Sequence, residues 1–235
     1  MPNLNVKYWN KELIVDKTSD KLYNYQKKSQ RRSYMRNFDR LLELAKKNNG
    51  IIQTKMLIEY GIPRDYLRYA VKEGILERVY PGIYITRDTI EDIPYYLQLK
   101  IKNLIYSYET SAYYNGLTTR NPLVYSVTVT SDSNVSRLRD VRIPIKLNIH
   151  FVRKSKFNIG ITCVRTMLGN ELRIYNKERT ICDLFSNNYD GDKFVAIESL
   201  KTYLRMSDRN LNKLMRYAKE LKVYEILREK LEILL

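Results

Sequence analysis

With 235 residues, 44% hydrophobic and 29% charged, the chain is a soluble globular protein with material for one large domain or two small ones. No apolar run nears the length of a membrane span, and the N-terminus lacks the apolar core of a signal peptide. Cys163, Cys182 and a lone His150 give no metal-ligand spacing. We therefore expect a cytoplasmic chain with reduced core cysteines, no membrane association and no cofactor. The surplus of 42 basic over 26 acidic residues, a formal net charge of +16, favours a polyanionic partner.

Residues 1–34 hold eight basic and three acidic groups, weak periodicity and the run Lys27-Lys28-Ser29-Gln30-Arg31-Arg32. They read as a basic arm along DNA phosphates or as a disordered tail. A third hypothesis starts from the codons. Arg31-Arg32 written AGG-AGG, followed by Ser33 and Tyr34, is a ribosome-binding site ahead of a start at Met35. Residues 1–34 would then be an upstream translation, and a native intact mass that includes Met1 sinks the idea.

Over 36–48, Phe38, Leu41, Leu42 and Ala45 fall on one helical face, and Asn48-Asn49-Gly50 ends the helix. Ile51-Ile52 is a short strand. Thr54 is expected to cap a second helix that Gly61 closes in the left-handed conformation. Pro63 then stands near the start of a third helix, in which Leu67, Ala70 and Val71 face the core. Arg64, Asp65, Arg68, Tyr69 and Lys72 are left outside. Gly74 ends it. Ile75–Val79 and Ile83–Thr86 around Tyr80-Pro81-Gly82 alternate and turn as a hairpin. This order is that of a winged helix-turn-helix; the plainer alternative is a helical hairpin with a solvated basic face. The candidate DNA-binding residues are Thr54 and Lys55 at a helix start, Arg64, Arg68, Tyr69 and Lys72 on the recognition helix, and Arg78 and Arg87 on the wing.

Residues 87–92 read as a linker, Pro94 as the opening of a helix, and Ser107–Leu117 as a short helix closed by Gly116. Glu109 stands in its first turn and is read as a capping residue rather than a catalytic one. Strands follow at 124–130, 145–152, 161–167 and 171–175, a small mixed or antiparallel sheet of about four. Residues 120–157 carry eight basic and two acidic groups. Arg137, Arg139, Arg142, Arg153, Lys154 and Lys156 among them form either solvated loops or a second surface for nucleic acid or an acidic partner. Asn176–Phe185 is a helix on whose face Arg179 and Asp183 pair four apart. Helices at about 192–205, 208–220 with Ser207 as cap, and 222–234 complete the chain, the last with Val223, Ile226, Leu227 and Leu231 as its core seam.

No phosphate loop, zinc spacing, serine elbow or carboxylate cluster is present, so the chain does not read as an enzyme. It reads as an α+β protein in three parts. Residues 1–34 are an N-terminal extension, disordered or non-native. Residues 35–88 are the winged helix-turn-helix. Residues 89–235 are a mixed domain with a small β-sheet and a C-terminal helical bundle.

Several stretches carry a family likeness. Asn48–Lys55, Gly61-Ile62-Pro63-Arg64 and Val71–Tyr84 resemble the AbiEi antitoxin family, the transcription-regulating half of bacterial type IV toxin–antitoxin and abortive phage infection systems. Glu109–Leu117, Val127–Thr130 and Tyr175–Leu184 are similar to the same family. The likeness spans about residues 35–235, and the wing run alone is shared with other winged helix proteins. Relatives often have histidine in the stretch matching 108–115, and this chain has none. The resemblance implies that the N-terminal domain binds inverted repeats of double-stranded DNA in its own promoter, two copies meeting there, and represses the operon. It implies that the C-terminal domain counters a cognate nucleotidyltransferase-like toxin, directly or indirectly. The rival readings are a protein-interaction module that docks an acidic toxin directly, and an enzyme acting on nucleic acid.

Overall fold

The computed structural model describes residues 36–101, 103–134 and 146–234. The arm over 1–34 with its candidate start at Met35, and Arg137, Arg139 and Arg142 of the middle basic run, lie outside the described residues. The chain divides into two compact units, Met1–Thr89 and Ile90–Leu235.

In the first unit, α1 (residues 36–47) buries Leu41, Leu44 and Ala45. Leu42, expected in the core, stays 37% exposed while Leu44 is at 1%. Residues 38, 41, 44 and 45 make one stripe, and Leu42 lies about 100° round from Leu41, off its edge. Then follow β1 (Ile51–Gln53), α2 (Thr54–Glu59), α3 (Asp65–Lys72), β2 (Leu76–Tyr80) and β3 (Ile83–Thr86). Both pairings are antiparallel in the order β1-β3-β2, with Ile51 opposite Ile85 and Leu76 opposite Thr86. Tyr80, expected in the turn, instead pairs with Ile83, so Pro81-Gly82 alone reverse the chain, Gly82 at φ 81°.

Helices α2 and α3 end alike. Ile62 N–H donates to Leu57 O and Ile75 N–H to Ala70 O, each at 2.8 Å, around Gly61 and Gly74 in the left-handed region. These endings turn the chain so that Leu57, Ile62, Leu67 and Leu76 meet Leu41, Leu44 and Ile52 in one apolar core. Each such side chain contributes about 1.5–3 kcal/mol by burial.

The second unit begins with α4 (Ile93–Lys100), opened by Asp92, whose carboxylate accepts from Tyr95 N–H at 3.3 Å. Asp92 was expected in a linker. It is 4% exposed and also accepts from Thr166 Oγ1 at 2.7 Å and Asn170 Nδ2 at 2.8 Å. Next come β4 (Ile105–Tyr106), α5 (Tyr108–Tyr114), β5 (Val124–Thr130), β6 (Lys146–Val152), α6 (Lys154–Phe157), β7 (Ile161–Arg165) and β8 (Glu171–Tyr175). Among the described residues the sheet is mixed and five-stranded, in the order β6-β5-β4-β8-β7; β5 with β6 and β4 with β8 are parallel. Its central strand β4 is only two residues long, too short to show alternation.

Helices α7 (Lys177–Leu184), α8 (Lys193–Arg205), α9 (Leu211–Leu221) and α10 (Tyr224–Leu234) follow. Asn210, not Ser207, caps α9, accepting from Lys213 N–H at 2.9 Å while its own N–H donates to Tyr203 Oη at 2.8 Å. On α10 Leu227 is buried, whereas Ile226, one step round, is 37% exposed. The Arg179–Asp183 pair is internal rather than on a solvated face. Arg179 Nε lies 2.9 Å from Asp183 Oδ1, with side chains 2% and 8% exposed. Arg179 Nη1 also donates to Lys156 O and Ile159 O, and the guanidinium lies over the Tyr175 ring.

Candidate nucleic-acid interface

The outward face of α3 follows from its period. Leu67 and Ala70 turn inward and are buried, which leaves Arg64, Asp65, Arg68, Tyr69 and Lys72 exposed. Val71, expected in the core, is 36% exposed, because Ala70 and Leu67 already define the stripe and Val71 lies about 100° from Ala70. Tyr69 and Phe38 pack edge to face with ring centroids 6.0 Å apart, and Tyr69 stays 39% exposed. Arg68 Nη2 meets Asp65 Oδ1 at 3.3 Å, but both side chains are 85% exposed. A surface pair of that kind contributes about 0–1 kcal/mol and is readily exchanged for another partner. Among the described residues, Lys55, Arg64, Lys72 and Arg78 join no ion pair. Asp65, Tyr66, Arg68, Tyr69 and Lys72 line a shallow depression of about 390 Å³ on this face.

Thr54 is the first residue of α2 and not its cap. Gln53 holds the cap position in an extended conformation without a side-chain bond, since β1 runs directly into the helix. Thr54 N–H instead donates to Gly82 O at 3.0 Å. A Cβ on Gly82 would stand 3.5 Å from Thr54 Oγ1, so the start of α2 and the hairpin turn adjoin. Thr54 and Lys55 thus lie beside the turn, and Arg78 is exposed on β2 opposite Tyr84. Arg87 follows β3 at the other end of the hairpin, where its guanidinium lies against Gly74, just past the end of α3.

Of the second basic set, Arg153 and Lys154 are exposed and Lys156 is half-buried, its carbonyl taken by Arg179. Two further cations of the second unit are paired: Lys213 with Glu178 at 3.0 Å, and Arg120 with Asp192 at 3.0 Å and Glu198 at 3.5 Å.

Glu109 makes no capping bond in α5. It accepts from Tyr189 Oη at 2.6 Å and from Asp192 N–H at 3.3 Å, a brace across the fold that spacing alone did not reveal. His150 stacks on Tyr108 with centroids 3.8 Å apart, and burial pulls its pKa below the usual value, with Asp190 opposing. Cys182 is buried, and burial raises its thiol pKa strongly. Cys163, expected in the core, is exposed because β7 is an edge strand. Among the described residues no group of three or more His, Cys, Asp or Glu side chains could hold a metal ion. Among them too, no helix is long and apolar enough to cross a membrane.

Residues 39–86 match a family model described as a transcriptional regulator, AbiEi antitoxin. That stretch runs from α1 to the end of β3 and carries all but one of the candidate DNA-binding residues, Arg87 lying just beyond it. No curated protein matches the sequence. The fold is similar to the crystal structure of the RV2827C protein from Mycobacterium tuberculosis. The TM-score is 0.50 at 13% sequence identity, covering 75% of this chain and 69% of that one.

Proposed function

We propose that the chain is a DNA-binding antitoxin of a type IV, abortive-infection system. In this reading, residues 35–88 form a winged helix-turn-helix that represses the chain's own operon, and residues 89–235 form the domain that counters the toxin. The observation that carries it is the outward face of α3, where Arg64, Arg68 and Lys72 stand exposed around a ring-anchored Tyr69, and among the described residues Arg64 and Lys72 join no ion pair and Arg68 only an exposed one. The antitoxin and regulator description of residues 39–86 supports the same reading. Arg68, with Arg64 and Tyr69, reads base edges in the major groove, and Lys72 flanks it. Thr54 and Lys55 contact phosphate at the start of α2, beside the wing turn, and Arg78 reaches the backbone or minor groove from the wing. Two copies meet on an inverted repeat.

A reporter fused to the upstream region should be repressed by the full chain and released by Arg68→Ala with Lys72→Ala. Repression that survives the double variant would refute the role of α3. A second reading rests on Arg153 and Lys154, exposed and outside any ion pair among the described residues. There the second unit docks an acidic toxin directly, and co-purification of the neighbouring gene product, lost on Arg153→Glu with Lys154→Glu, is its mark.

A further inference from the structure

We infer that Arg87 is a positioning residue, fixing the proposed recognition helix from its C-terminal end rather than touching DNA; the inference rests on the DNA-binding reading above. Gly74 ends α3 at φ 67°, its N–H donating to Val71 O at 3.0 Å, and has no side chain between the helix end and its surroundings. Arg87 fills that space. A Cβ on Gly74 would collide with Arg87 Nη2 and stand 3.0 Å from its Cζ, so the guanidinium lies close over the bare backbone. The last carbonyls of a helix carry partial negative charge, and a cation placed there is favourable.

The backbone bearing Arg87 is itself anchored. Thr86 N–H donates to Gly50 O at 2.9 Å, Thr89 N–H to Thr86 O at 3.0 Å, and the two threonine hydroxyls lie 2.7 Å apart. A Cβ on Gly50 would collide with Thr89, so this strap is seated tightly where α1 ends. Arg87 therefore sets a guanidinium beside the end of α3 from a point already fixed by the sheet and α1. Glu73 and Asp88 line the same groove, yet among the described residues neither forms an ion pair with Arg87. Arg87 is exposed and makes no ion pair among the described residues, so its charge is left beside the helix end.

The same geometry separates Arg87 from the proposed DNA face. Leu76 pairs with Thr86 and Tyr80 with Ile83, so Arg87 lies beyond the open end of the hairpin, away from Pro81-Gly82 and Thr54. The four residues of β3 span about 13 Å. The eight residues of α3 span about 12 Å, and a helix of this kind presents its N-terminal residues to base edges.

The test uses full-length Arg87→Ala and Arg87→Lys, with binding to the DNA just upstream of the gene and to a scrambled fragment measured across a salt series, beside thermal melting. Arg87→Ala should lower the upstream-to-scrambled affinity ratio about fivefold at an unchanged salt slope, and Arg87→Lys should recover part of it. Equal loss on both fragments with a slope shallower by about one unit would make Arg87 a phosphate contact and overturn the inference. A lower melting temperature with an unchanged ratio in both variants would overturn it too. Wild-type chain that prefers neither fragment would sink the DNA reading itself, a separate failure visible before any variant is compared.

Discussion

The two units use charge in opposite ways. Around α3, Arg64 and Lys72 join no ion pair among the described residues, Arg68 has only an exposed one, and the core behind them is apolar. In the second unit charge and hydroxyls are drawn into the structure. Arg179 and Asp183 pair in the interior, Lys213 reaches Glu178, and Ser111 meets Thr180 as Ser107 meets Thr128, each hydroxyl pair at 2.9 Å. Charge spent on internal pairing cannot also neutralise phosphate. The difference is sharpest at α3, where the cations stand together on one outward helix face, although Arg153 and Lys154 of the second unit are also exposed and outside any ion pair among the described residues.

Four predictions bear on that contrast. Asp183→Ala leaves the Arg179 guanidinium buried without its counter-charge and should destabilise the chain by about 3–5 kcal/mol in a denaturant titration. A cost near that of a surface pair would erase the contrast. Arg68→Ala should cost about 1–3 kcal/mol on preferred DNA and leave melting unchanged. Equal loss on random DNA would reduce Arg68 to a phosphate contact. Asp92→Ala removes a helix cap and the acceptor for Thr166 and Asn170, and about 1–2 kcal/mol should be lost from stability with DNA affinity intact.

The smallest effect concerns pH. Burial lowers the His150 pKa in the folded chain, so below about pH 6.5 the unfolded chain binds a proton that the folded one refuses. Stability should fall as pH drops from about 6.5 towards the folded pKa, and His150→Gln should flatten that part of the profile. A variant that keeps the full slope would assign it to other groups.

The first unit was legible because its punctuation is local. Gly61 and Gly74 end helices, Pro81-Gly82 turn a hairpin, and the period of α3 separates Leu67 and Ala70 from Arg68 and Lys72. What escaped was context. Thr54 has a capping side chain, but β1 pairs up to Gln53 and carries the chain straight into the helix. Spacing predicts that Arg179 and Asp183 touch, yet it says nothing of Lys156 and Ile159 closing over them from another element. Asp92 in a polar run gives no sign that Thr166 and Asn170, more than seventy residues on, will converge on it. Nor does the sequence show that Arg87 stands at the end of the hairpin that adjoins Gly74, just past α3.

The most direct measurement is binding of the full chain to the DNA just upstream of its gene, against a scrambled fragment, across a salt series. A preference for the upstream fragment should persist as salt rises, since base contacts outlast the release of counterions. Equal and steeply salt-sensitive binding to both fragments would contradict it, leaving +16 as a general attraction to polyanions and the protein-docking reading as the better one.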